Sequence, residues 1–512
     1  MPDQVNKWMV AITVMLPTII VIVGSAIVTV SLGHIRGSLS AGVDEATWAV
    51  TAYLAAGAVV IPMSGWFSRF FGRKRFLQFS VALFTVSSML CGMAWSIQSL
   101  IAFRILQGLA GGSLQPISQS ILLETFPPSQ HGTALAIFSI GIMFGPIMAP
   151  LLGGWITDNW SWPWIFYINL PIGIVSMAMS FFFIVDPPYM RGTVVKVDYW
   201  GLLFLALWVG CLQMVLDRGQ SEEWFESGFI VTLTVIASVS FALFILAEHL
   251  TDHPIVELGV FRDYSFAFGN IVVFFVLASL FGSLVLLPIY LLELMGYTAS
   301  LAGLILGPGG LAIFAVMPIV GRLVNVINPK YIAAIGVIVI AHATYLMAGF
   351  NMQADFNSIL WPRVLVSVGM GMVFIPLNLM TLSGIPPMEM GNATSIFGLM
   401  RNVGSGLGVA FATTILARRS QFHQSRLVEN MTPFDSAYWD TAQQSAAMLQ
   451  QKGMDIATSQ QGGLALIYNQ LVKQASMMSF NDVFFVMAVM MICMLPLVLF
   501  MRYRRPAPAP KA

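Results

Sequence analysis

The stretches FPPSQHGTALAIF (Phe126–Phe138) and IPPMEMGNATSIF (Ile385–Phe397) share a Pro-Pro turn, a following Gly, an Ala and a closing Ile-Phe, at an offset of 259 residues. The same offset carries Arg104 in FRILQGLAGG onto Arg363 in PRVLVSVGMG, and brings Pro116 to within one residue of Pro376. Self-similarity over such a distance marks a duplicated unit.

Composition says which medium that unit occupies. Of 512 residues, 57% are hydrophobic and 9% charged, and the mean hydropathy is +0.82. A water-soluble core needs far less apolar surface. Runs of the ~20 apolar residues that cross a bilayer recur fourteen times, at 8–30, 47–67, 76–96, 99–124, 132–156, 163–185, 199–217, 228–248, 265–290, 299–321, 331–350, 358–381, 392–417 and 479–501. The breaks carry turn and charge signals such as FGRKR, VDPPYMRG and LDRGQSEEW. The first run is longer than a signal-peptide core and lacks a small-residue cleavage site, so it is expected to stay as a membrane helix.

An even number of spans puts both termini on one side. Lys7, Arg69, Arg73, Lys74, Arg75, Arg262, Arg322, Lys330 and Arg502 fall on that side, whereas the short loops opposite hold only Arg36 and Arg218. The Lys/Arg rule therefore predicts cytoplasmic termini. The repeat sets spans four and five against spans twelve and thirteen in the same orientation. The expected architecture is an all-α polytopic membrane protein with two parallel six-helix bundles, 1–186 and 264–502. Two inserted helices and their loops occupy 187–263, and a cytoplasmic tail occupies 503–512.

Several segments carry more than hydropathy. In GWFSRFFGRKR, Gly65 and Gly72 let two helix ends approach, while Arg73 and Lys74 suit anionic lipid and helix C-termini. Span four holds Arg104 inside an apolar run, a placement that costs ~3 kcal/mol or more and calls for a cavity or a partner. Gln107, Gln115 and Gln119 line one side of the same span, and Glu124 follows near its cytoplasmic end. Span five reads GIMFGPIMAPLLGG. Gly141, Gly145 and Ala149 form a small-residue stripe for close packing, with Pro146, Pro150 and Gly154 stepping beside it and Gly153 closing the stretch. In span thirteen, Arg401 and Asn402 precede Gly404 and Gly408. Asn378 in span twelve is a further polar candidate for the substrate path.

Asp217, Glu248 and Glu293 fall near span ends, and His342 lies inside span eleven. Segment 418–477 is a long polar loop on the outer side, of mostly helical composition broken by Gly462–Gly463. Cys91, Cys211 and Cys493 lie apart within apolar runs and offer neither disulfide nor metal-ligand spacing. A net charge of +1 describes no nucleic-acid face. Phosphate-loop, zinc-protease and nucleophile-elbow motifs are absent from the sequence, so no enzyme activity, cofactor or metal is expected. The remaining energy source is an ion gradient.

These motifs resemble those of major facilitator transporters: the loop after span two, the basic residue and glycines of span four, and the glycine-proline pattern of span five. With LDRGQSEEW, HPIVELGVFRDYSF and LLELMGYTASLAGLILGP, the resemblance is to the EmrB branch of the fourteen-span EmrB/QacA drug:proton antiporters. It covers nearly the whole chain. It implies that Arg104 lies on the transport path with a role in proton coupling, and that span five is a gate helix; Arg401, an intramembrane charge in the repeat partner of span five, is expected on the same path. Further implied are a periplasmic membrane-fusion adaptor and an outer-membrane channel as partners, with the outer loop as a docking surface.

Two departures matter. Arg69 stands where the family's loop has an acid, so that loop's usual carboxylate interaction does not carry over. In span one, VGSAIVTVSLG puts Gly24 at the family's acid, Thr29 at its amide and Gly33 at its proline. With Gly24 there, Glu124 is the preferred proton site. The expected function is proton-coupled export of lipophilic or amphiphilic compounds across a bacterial inner membrane by alternating access, with acidic or fatty-acid-like compounds suiting Arg104 and Arg401. The alternatives are a proton-independent facilitator, a solute-specific transporter, or a transporter-like receptor.

Overall fold

The computed structural model describes residues 6–186, 198–251, 254–429, 431 and 436–503. It is helical throughout these residues, with no β-strand among them. In chain order the helices are α1 (Lys7–Val30), α2 (Leu32–Ser38), α3 (Val43–Phe71), α4 (Arg73–Gly92), α5 (Ile97–Gly111), α6 (Leu114–Thr125), α7 (His131–Asn159), α8 (Trp164–Tyr167) and α9 (Asn169–Phe183). After these come α10 (Tyr199–Arg218), α11 (Gly228–Leu250), α12 (Tyr264–Ile289), α13 (Ala299–Leu323), α14 (Pro329–Met347), α15 (Phe356–Leu382), α16 (Met390–Glu429), α17 (Ser436–Gln451) and α18 (Ile456–Phe500). Among the described residues, 11 helices are long and apolar enough to cross a bilayer. The other three expected passes fall on α5 with α6, on α7 and on the first part of α16.

Local chemistry sets the helix ends. Asn6, Asp198, Asp263, Thr298, Asn328 and Asp455 cap the starts of α1, α10, α12, α13, α14 and α18 by accepting backbone N–H groups. Span four breaks between α5 and α6 at Gly112–Ser113. Glycine serves there because α5 crosses α3 at backbone distance: a Cβ at Gly112 would overlap the Gly57 carbonyl, and one at Gly108 the Tyr53 carbonyl.

Segment 418–477 departs from the expected loop. Here α16 continues past its membrane pass, α17 folds back, and α18 begins well outside its own. Gly462–Gly463 does not break the chain but lies inside α18, where a Cβ at Gly463 would sit 2.9 Å from the Ala442 carbonyl oxygen of α17. The turn comes earlier, at Gly453 with φ +92°. At the foot of this helical extension, Asp482 of α18 accepts hydrogen bonds from Arg419 Nε (2.5 Å) and is 2.6 Å from His423 Nε2, both on α16.

The duplicated unit returns as a pseudo-two-fold. On α7, Gly145 packs against Ile22 of α1; the 259-residue offset carries Gly145 onto Gly404, which packs against the Phe274 backbone of α12. Ala149 maps likewise onto Gly408, which meets the Ala278 backbone. Each half thus builds one tight pair from its first and fifth helices, α1 with α7 and α12 with α16.

Candidate functional site

The halves meet most closely at the end of the bundle that carries the termini and the basic loops. A Cβ at Gly65 of α3 would lie 2.8 Å from the Gly391 carbonyl of α16, and one at Gly132 of α7 would overlap Val324 at the end of α13. The offset carries Gly65 onto Val324 and Gly132 onto Gly391, so these are two copies of one contact. Ser64 and Ser395 are hydrogen-bonded at 2.8 Å on the α3–α16 seam. Deeper in, Gln119 Nε2 donates to Asn378 Oδ1 at 2.9 Å, both buried, and these two residues are themselves related by the offset. Two expected substrate-path residues therefore touch each other on the pseudo-symmetry axis and bolt the seam.

Around this closed end the basic loop finds its acids outside itself. Gly72 adopts φ +84°, a conformation that favours glycine, and turns the chain so that Asp186 Oδ1 accepts from Lys74 N (2.8 Å). Lys74 Nζ donates to the Phe181 carbonyl at 2.6 Å. Arg69, in the family's acid position, pairs with Glu257, whose backbone carbonyl accepts from Asn392 Nδ2 of α16 at 2.9 Å. Arg73 pairs with Glu124, and both side chains are buried. The carboxylate interaction expected to be lost is thus supplied from three other segments. Glu124, the expected proton site, thus meets Arg73 in this latch.

The arginines within the membrane are held differently. Arg104 is fully buried and does not snorkel. Its Nε donates to the Ala49 carbonyl (3.0 Å), and Nη1 donates to Gln107 Oε1 (2.7 Å) and the Gly24 carbonyl (3.5 Å). Its plane lies 3.9 Å over the Tyr53 ring. Nη2 has no hydrogen-bond partner among the described residues. The guanidinium therefore faces the backbone of the residue that replaces the family's acid.

Arg401 is also buried, and none of its Nε, Nη1 and Nη2 has a hydrogen-bond partner among the described residues. The Phe397 ring lies 5.4 Å from its guanidinium. Neighbouring Gly398 faces Ile61 of α3 and Pro116 of α6, each 3.2 Å from where its Cβ would be, which sets Arg401 beside the seam. Arg363, found by the repeat but left out of the expected site, is buried beside Ser367 and Gly309, with Nε and Nη1 lacking a hydrogen-bond partner among the described residues. No ion pair joins any of these three arginines to an acid among the described residues.

Other expected residues lie elsewhere. Gln115 is half-buried on α6. Asn402 turns to α10, donating to Gln213 Oε1 at 3.3 Å. In α7, Gly141 faces Met15 and Ile19, Gly153 faces Ile27, and Gly154 meets open space. Pro146 and Pro150 fall within the continuous helix, but their side chains lie outside the described residues. The span-five stretch thus packs on α1 of its own half and is not apposed to Arg401. His342 is exposed on the outside of α14. The inserted helix α10 flanks the α3–α16 seam at the far end: Asp217 accepts from Thr51, Arg218 Nη2 donates to Thr47 Oγ1 (2.9 Å), and Trp224 Nε1, just beyond the helix, donates to Thr414 Oγ1 (3.0 Å).

Residues 14–409 match the Major Facilitator Superfamily profile. The chain is 33% identical over 479 residues to the fatty acid resistance protein FarB of Neisseria gonorrhoeae, covering 93% of this chain and 92% of that one. It is 33% identical over 495 residues to the multidrug export protein EmrB of Escherichia coli K12, covering 96% and 94%. Among solved structures, the human organic anion transporter MFSD10 superposes with a TM-score of 0.60 at 13% identity, over 95% of this chain and 100% of that one. The proton:xylose symporter XylE does so at 0.57 and 14%, over 96% of each; at these identities the likeness concerns the fold. With its repeat, its fourteen passes and these relatives, the chain belongs to the major facilitator superfamily, in the EmrB branch of its drug transporters.

Proposed function

We propose that this protein exports anionic amphiphiles across the bacterial inner membrane by alternating access, with the basic end of the bundle cytoplasmic. The observation that carries this reading is Arg401, a buried guanidinium beside the seam whose three nitrogens have no hydrogen-bond partner among the described residues. An isolated buried charge is costly, and a carboxylate or other anion bearing an apolar tail supplies both the missing counter-charge and the missing acceptors. Arg104 and Arg363 offer further free N–H groups at pseudo-symmetric positions. The names of the FarB and EmrB relatives, fatty acid resistance and multidrug export, agree with this chemistry.

The division at 1–186, 187–263 and 264–502 follows: the two bundles rock about the seam while α10 and α11 ride beside α3. In this reading, closure at the basic end is a state facing away from the cytoplasm. The energy source in this reading is the proton gradient. The helical extension of α16, α17 and α18 is the surface for a periplasmic adaptor and, through it, an outer-membrane channel.

A second reading, a proton-independent facilitator, is favoured by one pair of facts. Gly24 has no acid to protonate, and Glu124 is engaged by Arg73. Reconstitution into liposomes with an imposed pH gradient separates the two. Export of a labelled medium-chain fatty acid that rises with the gradient supports antiport, and flux indifferent to it supports the facilitator. If fatty acid does not move while a cationic drug does, the anion reading is wrong.

A further inference from the structure

We propose that the basic end of the C-terminal half carries a binding site for the headgroup of an anionic phospholipid, in a cavity formed where α12 and α14 begin and α18 ends. The cavity has a volume of about 620 Å³ and is lined by Arg262, Lys330 and Arg502, with Asp263 as its acid. That carboxylate is already engaged, accepting from Ser265 N (2.9 Å) and Phe266 N (3.2 Å) as the cap of α12. None of the three cations forms an ion pair among the described residues. Arg502 is held in place by its backbone, since its N–H donates to Ser265 Oγ, which in turn donates to the Arg502 carbonyl, both at 2.9 Å. Three cations against one occupied carboxylate leave a surplus of positive charge inside a concave wall. A phosphodiester fits such a wall by charge and by acceptor count.

The surroundings select a lipid over a soluble phosphate. Tyr264 and Tyr331, in the first turns of α12 and α14, are exposed, as is Phe500 at the end of α18; aromatic residues at helix ends mark the interface between headgroups and hydrocarbon. From Tyr331 an exposed apolar stripe continues along α14 through Ile335 and Ile338, at the spacing of one helix face. A headgroup in the cavity therefore sits at the depth where its acyl chains run down this stripe. The site is separate from the seam and from Arg104, Arg363 and Arg401, and does not depend on what the protein carries.

Native mass spectrometry of the full chain, released from mild detergent, tests this. The probes are a phospholipid with two phosphodiesters, a zwitterionic phospholipid and soluble glycerol 3-phosphate. The wild type is expected to retain the doubly anionic lipid and to bind the zwitterionic one far more weakly. Removing two cations in Lys330→Gln/Arg502→Gln should weaken retention about 30-fold, at ~1 kcal/mol per cation, while Arg322→Gln, elsewhere on the same end, should keep it. Equal retention by the double variant overturns the site. Binding of glycerol 3-phosphate as tight as that of the lipid overturns the lipid assignment in favour of a soluble phosphate site. If the double variant does not fold, the single Lys330→Gln decides, with about a fivefold loss expected and no loss overturning the proposal.

Discussion

At the basic end of the bundle, Arg69 and Arg73 each have a carboxylate, Glu257 and Glu124. In the membrane interior, Arg104 is held by two backbone carbonyls, an amide oxygen and a ring, while none of the Arg401 nitrogens is hydrogen-bonded among the described residues. The difference separates two uses of a buried cation. A paired cation ties loops together and is missed structurally when it goes. An unpaired one is a standing cost to the fold.

Four changes break or sharpen that contrast. The largest stability effect is expected from Glu124→Ala, which strands Arg73 in a buried site and should cost about 3–5 kcal/mol, read as a lower unfolding midpoint. The charge-swapped pair Glu124→Arg/Arg73→Glu should recover part of it, and a Glu124→Ala protein as stable as wild type would refute the latch. Arg401→Gln should do the opposite. It relieves an unpartnered charge, so thermal stability holds or rises, while fatty-acid export falls about 10- to 100-fold through loss of a charge-assisted contact. A stability loss without an export loss would make Arg401 a structural residue. Gln119→Ala leaves the Asn378 amide oxygen without its donor across the seam and should cost ~1 kcal/mol of stability. It should also shift the protein toward opening at the basic end, measured by labelling a cysteine placed at Ser64. Smallest is His342→Ala, on the outer side of α14, for which neither export nor its pH profile should change; a shifted profile would make His342 a proton carrier.

Much of this was legible before any coordinates. The Pro-Pro-Gly repeat reveals the pseudo-two-fold because the same backbone turn, with the same close approach behind it, is needed twice. It correctly relates Gly132 to Gly391 and Arg104 to Arg363. Gln119 and Asn378 could be singled out as polar groups in apolar spans, but not recognised as each other's partner. The offset between them was the available signal, since residues on a two-fold axis meet their own copies. That Asn402 meets Gln213 of α10 was hidden for a related reason: the side of α16 that α10 covers depends on where an inserted helix docks, and hydropathy does not report that. In the outer segment, Gly462–Gly463 looks like a break because glycine weakens an isolated helix. The cost is offset where α17 crosses α18 at the distance only a missing Cβ allows.

The sequence by itself determined that this chain crosses a membrane many times, that it is built from a doubled unit, and which glycines and intramembrane arginines stand out. Hydropathy, residue spacing and internal repetition are one-dimensional properties, readable without knowing what lies alongside. Only the tertiary structure decided which acid meets which arginine, that Glu124 pairs with Arg73, that Gly24 leaves Arg104 facing backbone, and that Arg401 meets no counter-charge among the described residues. Those outcomes depend on Coulomb and hydrogen-bond partners brought from distant loops, whose reach is a few ångströms in space and more than a hundred residues in sequence for Asn392 and Glu257.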